Sequence, residues 1–518
     1  MPPTTRAARA RAARDRLAVG ARVALADPST LGLVGSLLVA FASLGIGIVP
    51  KPDPLSQLPL IGLLRETVLG RGLATAAIVT GIAVLLTAWF ALGRDLRAGA
   101  VEVRDLRRTL WRWALPLLVT PPLFSRDAYS YSAQGNLVRH GYDPYVVGPW
   151  VIPGPFADSV DPLWATTPAP YGPVFLTLAG GVSRLTGDSV YLGVLGMRTL
   201  ALAGVVLLAV YLPRLAACCS VEPRTALWLG LVNPLTLMHF VSGAHNDALM
   251  LGLIVAGLTL ALEGSPLAGS VAIALAAGVK APAALALGFV GHVWARHLVR
   301  SSPALSPRQR LLRGFALAGG VGLTTFAAVT AVTRFGYGWI GALGTPGIVH
   351  SWLSPPTVLG MVSGGTARFL GLTEEIWPYV DGVRAVSGAL AVLLIVTMLL
   401  RPGPLDLDRS AAHRRVVRGT AYALLLLVLL GPVVQPWYLM WALVPLAAVP
   451  LRGGEARWVR WGVVFCVVVS QLNGTTMIGW FALPGSLAAL AATAVVVTRA
   501  RRAERAVTAS PPEPVSSS

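Results

Sequence analysis

The chain has 518 residues, 55% of them hydrophobic and only 13% charged, with a mean hydropathy of +0.67. Soluble domains carry roughly a quarter of their residues as Asp, Glu, Lys or Arg, so a water-soluble protein is excluded and an all-α polytopic membrane protein is expected. The net charge of +19 would suit a nucleic-acid partner if it were gathered in one patch, which it is not. Cys218, Cys219 and Cys466 have no metal-ligand spacing and no disulfide framework; they read as small packing residues.

Residues 1–29 hold Arg6, Arg9, Arg11, Arg14, Arg16 and Arg22 and form an Arg-rich tail. The next apolar run, 31–50, suits a span and is too long for the core of a cleaved signal. Further apolar blocks lie near 73–93, 109–124, 189–212, 225–241, 247–262, 266–279, 282–298, 312–332, 381–400, 417–432, 437–450, 459–479 and 483–498. They predict about 12–14 transmembrane helices in a single domain over 30–499, with the shorter ones tilted, broken or shielded. A Pro/Ser-rich tail over 500–518 is expected to be disordered.

With the N-terminus inside and the spans alternating, the inner segments 1–29, 94–112, 213–224, 296–313, 401–418, 452–460 and 499–518 hold 31 of the 42 Lys and Arg. The charge is therefore a topology signal that puts both termini in the cytoplasm. Some of it can also meet anionic lipid heads, and no nucleic-acid partner is expected. Two large outer loops remain, 125–188 and 333–380, rich in Pro, Gly, Trp and Tyr. Ordered loops of that length tend to carry function.

The first loop opens as FSRDAYSYSAQGNLVRHGYDPY from residue 124. Ser125 suits a helix N-cap, which puts Asp127 in the first turn and Asp127, Tyr131, Gln134 and Val138 on one face. Arg126 beside it either pairs with Asp127 at the helix start or faces a ligand. Next comes GAHNDALM, where His245, Asn246 and Asp247 open the apolar run 247–262. Polar residues at the rim of a membrane helix are costly and invite a functional reading, although Asn246 also suits a cap. One His and one Asp are too few for a metal site, so none is assigned and a divalent ion is left open. Lys280, one of two lysines with Lys51, sits in AIALAAGVKAPAALALGF. Pro282 predicts a turn there that puts Lys280 at the head of a short helix, a place suited to an anion. GPVVQPWYLMW sets Gln435, Trp437 and Tyr438 at an outer helix break, and the loop 333–380 adds Arg334, His350 and Trp352. The NGT at 473–475 matches a glycosylation pattern by chance.

In order along the chain, FSRDAYSYSAQGNLVRHGYDPY, WATTPAPYGPVFL (164–176), GAHNDALM, GVKAPA and QPWYLMW resemble the polyprenyl-phosphate-mannose-dependent α-(1→6)-mannosyltransferases of actinobacterial envelopes, members of the GT-C superfamily. The resemblance implies a GT-C-type fold with a catalytic acidic residue in the first large extracytoplasmic loop, a role that maps onto Asp127. It implies inverting transfer of mannose from polyprenyl-phosphate-mannose to a mannan or lipoglycan acceptor at the outer face of the plasma membrane, with no cofactor. A phosphate leaving group needs little general acid, so one carboxylate suffices as base where inverting glycosidases use two. Arg126 and Lys280 become the candidates for the donor phosphate. Tyr131, Gln134, Tyr171, His245, Asn246, Asp247, His350, Trp352, Gln435 and Trp437 become candidates for sugar or acceptor, and Trp164 for stacking on a sugar face. Two spans precede the segment that leads into this loop, a departure from the simplest GT-C layout. Two alternatives stay open: a transferase for another polyprenyl-phosphate sugar such as arabinofuranose, and a transporter or flippase of lipid-linked glycans. Polar residues gathered at helix ends on one face, rather than at mid-bilayer between repeats, favour an enzyme.

Overall fold

Backbone amides that have no water to bond must bond within the chain, and among the described residues regular structure is entirely helical. The computed structural model describes residues 27–50, 52–401 and 408–470. The expectations for most of the Arg-rich tail, for the last span at 483–498, for the NGT and for the tail 500–518 lie outside the described residues.

Helix α1 (Pro28–Ile46) starts where Asp27 accepts from the amides of Ser29 and Thr30, with Pro28 in the first turn. After the short α2 (Pro59–Glu66) it packs along α3 (Val68–Arg97). Helix α4 (Val103–Ala114), opened by a Glu102/Asp105 capping box, buries Leu106, Leu110 and Trp113 and leaves its arginines exposed. The apolar block at 109–124 is therefore no single spanning helix: α4 ends at Ala114, a 3-10 turn (Leu115–Leu117) follows, and an irregular segment leads to α5 (Asp127–Arg139), which packs on α6 (Pro173–Thr186).

Helix α7 (Val190–Cys218) is long; α8 (Pro223–Gly230) is short. A π-helical turn, Thr236–Ser242, then meets α9 (Asp247–Leu262) at 108°. Helix α10 (Pro266–Val279) ends at Lys280 and a 3-10 turn, Ala281–Ala284, leads into α11 (Leu285–Ser301). Helices α12 (Pro307–Thr333), α13 (Pro355–Phe369), α14 (Trp377–Leu400), α15 (Arg409–Leu430), α16 (Leu439–Ala447) and α17 (Glu455–Val469) complete the described chain.

Five of these helices, α1, α3, α7, α12 and α14, are long and apolar enough to cross a membrane, and the bent pair at 236–262 brings the number to six. The protein is thus a polytopic all-α membrane protein. Among the described residues the other apolar stretches form helices too short to span alone, except α15, which has 22 residues but carries four arginines in its first half, and 226–262 lies almost wholly buried behind its neighbours. The outward apolar faces belong to the long helices: Leu323 and Val332 of α12 and Val386 and Val392 of α14 are 62–81% exposed, as lipid contact requires and water would not tolerate.

Helices α7 and α9 cross backbone against backbone. A Cβ on Gly204 would stand 2.2 Å from the Ala248 carbonyl, and one on Gly252 would stand 2.7 Å from the Gly204 oxygen. Small residues allow such close approach between apolar helices, and this crossing fixes the start of α9, where the site lies. Gly204→Val meets backbone that no rotamer change can move. The expected cost is about 1–3 kcal/mol or more, read as a lower Tm of the detergent-solubilised protein; an unchanged Tm would refute the close crossing.

Candidate active site

The irregular segment after α4 carries its polar backbone through apolar surroundings, and five successive carbonyls find donors. Leu118 and Thr120 accept from Arg198, Val119 from the Tyr191 hydroxyl, Pro121 from Ser43, and Pro122 from the Ile48 amide. Phe124 then turns the chain at φ 68°, and the Ser125 hydroxyl accepts from the Asp127 amide at 3.0 Å. The N-cap position itself falls on Arg126, whose side chain makes no capping bond. Ser125 thus caps the first turn from one residue before its expected place.

Asp127 turns away from Arg126. Among the described residues the two form no ion pair; instead the carboxylate Oδ2 lies 3.2 Å from His245 Nδ1 and 3.3 Å from the Tyr131 hydroxyl one turn along α5. The imidazole contact is within ion-pair distance but not aligned as a hydrogen bond. The Asp127 side chain keeps 24% of its exposure, while His245 has none. Burial pushes the carboxyl pKa up, but the His245 contact and the Lys280 charge outweigh it, so Asp127 sits below the ordinary carboxylate value. An ionised, partly accessible carboxylate of this kind is chemically able to accept a proton.

The other half of the site starts where the 108° bend meets α9. Ala244, at φ 53°, swings His245 toward Asp127 and flat onto Trp437, with ring centroids 3.8 Å apart. Asn246 occupies the N-cap of α9 but makes no capping bond; its Oδ1 lies 3.4 Å from the Tyr131 hydroxyl. Asp247, fully buried, points to the opposite partner. Lys280 Nζ reaches both its oxygens at 2.9 and 3.0 Å, and Trp441 Nε1 donates to Oδ1 at 2.6 Å. The ammonium also lies over the rings of Tyr438 and Trp441, 4.8 and 5.3 Å from their centroids. Lys280 is where the sequence put a turn, at the head of a 3-10 turn, yet its charge is met by a carboxylate of the protein.

A model of the N-terminal domain of the alpha-(1->6)-mannopyranosyltransferases matches residues 29–296, and a model described as the MptB C-terminal domain matches 356–499. The chain belongs to the α-(1→6)-mannopyranosyltransferase family. It is 37% identical to alpha-(1->6)-mannopyranosyltransferase A of Mycobacterium tuberculosis, over 83% of each chain. It is 38% identical to a probable alpha-(1->6)-mannopyranosyltransferase of Mycolicibacterium smegmatis, over 82% of this chain and 79% of the relative. It is 33% identical to alpha-(1->6)-mannopyranosyltransferase B of Corynebacterium glutamicum, over 81% and 72%. No solved structure matches. For a member of this mannosyltransferase family, a site of this kind has a sugar donor and a glycan acceptor to accommodate.

In the cluster His245 Nε2, Asn246 Nδ2 and Trp437 Nε1, and two turns along α5 from Asp127 also Gln134 Oε1, are buried with no hydrogen-bond partner among the described residues. Such atoms are costly unless something bonds them, which suits a site for a hydroxyl-rich ligand. Tyr171 joins them edge-on to Tyr131, with ring centroids 5.1 Å apart. It reaches there because Gly172 abuts the Lys280 turn: its amide donates to the Val279 carbonyl, and a Cβ would stand 2.3 Å from the Gly278 oxygen. Gln435 precedes the turn that carries Trp437. Other candidates stand apart in contact terms. His350 is exposed and packs on Trp377 at 4.6 Å. Trp352 and Trp164 are half-buried, Arg334 is exposed, and none of the four makes a described contact with the Asp127 cluster. The loop of His350 and Trp352 is nevertheless tied to it, since Ser351, Ser354 and Thr357 donate to the carbonyls of Val434, Gly431 and Pro432 just before Gln435. Among the described residues no three His, Cys, Asp or Glu side chains gather as a metal site. Sequence reading missed Arg198 and Trp441. The arginine had a signal, a charge in the middle of an apolar run; the tryptophan had none beyond its place in QPWYLMW.

Removing Lys280 alone leaves Asp247 as an uncompensated buried charge. Lys280→Met is expected to cost about 3–5 kcal/mol, and Lys280→Met combined with Asp247→Leu to recover a large part of it. Thermal unfolding of both purified variants checks this: a double variant no more stable than the single one shows that the pair is not a charge-compensated unit.

Proposed function

We propose that the protein is an inverting mannosyltransferase that moves mannose from polyprenyl-phosphate-mannose to a mannan or lipoglycan acceptor. It forms α-(1→6) linkages at the outer face of the plasma membrane, with both termini in the cytoplasm. The observation that carries the reading is Asp127: an ionised carboxylate, partly exposed, braced on Oδ2 by His245 and Tyr131. Its other oxygen takes the proton of the acceptor 6-hydroxyl. As the acceptor oxygen bonds to the mannose C1, the bond from C1 to the phosphate oxygen breaks and its electron pair leaves with polyprenyl phosphate, so a β-linked donor gives an α-linked product. The phosphate leaves without a general acid. Arg126, free of Asp127, and the Lys280 ammonium on its Asp247 base are the cations for the departing charge. The outer location is what the family resemblance of the Asp127 loop implies.

Supplied with polyprenyl-phosphate-mannose and a short mannan, the wild-type protein transfers mannose. Asp127→Asn is expected to lower kcat by roughly 10²–10⁴ with the donor KM little changed; undiminished transfer would remove Asp127 as the base. The pH profile tests its setting. His245 holds the Asp127 pKa down against burial, so His245→Leu should raise it and move the acid limb of kcat/KM to higher pH. A limb that stays in place shows that the two side chains are not coupled.

A further inference from the structure

We propose that Arg198 is a positioning residue of the transfer site, a clamp that holds the segment bearing Asp127 in register with the segment bearing His245. The inference rests on the reading of Asp127 as the base. Arg198 stands in α7 and is 1% exposed. No carboxylate faces it among the described contacts. Its guanidinium donates from Nη1 to the Leu118 carbonyl at 2.6 Å and from Nη2 to the carbonyls of Thr120 at 2.8 Å and Ser242 at 3.0 Å. A charge inside an apolar helix is costly, and here it is spent on three backbone oxygens from two distant segments. Each of those segments runs straight into a strained turn and then a residue of the site. Beyond Thr120 the chain passes through Phe124, at φ 68°, to Asp127; beyond Ser242 it passes through Ala244, at φ 53°, to His245. Both residues have side chains and sit in the left-handed region, a conformation that persists only where the surroundings over-determine it. Arg198 grips the chain just before each strained turn, and the two turns deliver Asp127 and His245 to within 3.2 Å of each other. Ser43, Tyr191 and the Ile48 amide hold the intervening carbonyls of the first segment; Phe124 packs on His239 of the second with ring centroids 5.9 Å apart, but among the described hydrogen bonds only Arg198 bridges the two segments.

The test compares wild type, Arg198→Gln, Arg198→Lys, Asp127→Asn and the Arg198→Gln/Asp127→Asn double variant, all full length in nanodiscs with polyprenyl-phosphate-mannose and a short mannan. Loss of register at this scale is expected to lower kcat of Arg198→Gln roughly 100-fold while the donor KM stays close to wild type. Arg198→Lys keeps the charge but cannot form the fork, so its kcat falls between the two; it serves alone if Arg198→Gln fails to fold. Because Arg198 acts through Asp127, the double variant should be little slower than Asp127→Asn. A wild-type kcat in folded Arg198→Lys and Arg198→Gln, or in Arg198→Lys alone should the other not fold, overturns the clamp, as does a fully additive double variant. Full activity of Asp127→Asn is a separate result: it removes the base and leaves the Arg198 rates to show whether the clamp serves another group.

Discussion

A charge or a peptide group held in apolar surroundings must be met inside the protein, and this one constraint organises the region around Asp127. Asp247 has no exposure and is met on both oxygens by Lys280 and on one by Trp441. The irregular chain before α5 has no helix to satisfy it, so side chains from two helices, α1 and α7, reach its carbonyls. Helical regularity is given up at the points where α5, α9 and the 280 turn begin, and each break is bonded by side chains or backbone from elsewhere. Irregular backbone tolerated inside a membrane protein is where ligands are handled.

The glycine contacts serve the same end. The α7–α9 crossing at Gly204 and Gly252, and the approach of Gly172 to Gly278, bring backbones together until side chains from different segments share one small volume. Tyr131 meets Tyr171 and Asn246, His245 meets Trp437, and Lys280 meets Tyr438. The packing supplies order, and the polar atoms left without partners among the described residues supply the site.

How much of this was legible in the sequence depended on distance along the chain. The Asp127–Tyr131 relation follows from helical spacing alone and is present. The turn at Lys280 follows from Pro282. The neighbours Arg126 and Asp127 left two readings, a helix-start ion pair or two groups facing different ways; they form no ion pair, because successive residues at a helix start point in directions about 100° apart and His245 claims the carboxylate. His245, Asn246 and Asp247 were visible as a polar cluster, but their division of labour was not. Consecutive residues at the bend serve opposite partners, and Lys280 stands 33 residues from the aspartate it pairs with. Hydropathy located the apolar blocks in the middle of the chain but cannot tell a short helix buried by protein from one buried by lipid.

On the proposed reaction the site never has to create a charge. Asp127 begins ionised beside a phosphodiester carrying one negative charge; it ends protonated beside a phosphate monoester carrying two. One unit of charge migrates from the carboxylate to the phosphate, and the proton travels the other way along the acceptor oxygen. A preorganised, poorly solvated pocket handles migration far more easily than creation, provided fixed cations lie where the charge arrives. That condition gives the Asp247–Lys280 pair its significance. A lone lysine would be driven to shed its proton by burial, whereas one held by a fully buried aspartate stays an ammonium, fixed in direction by two oxygens and two aromatic faces. Asp247 then does for the departing phosphate what His245 does for the incoming proton: neither takes part in bond making, and each sets the charge state of a group that meets the reacting atoms.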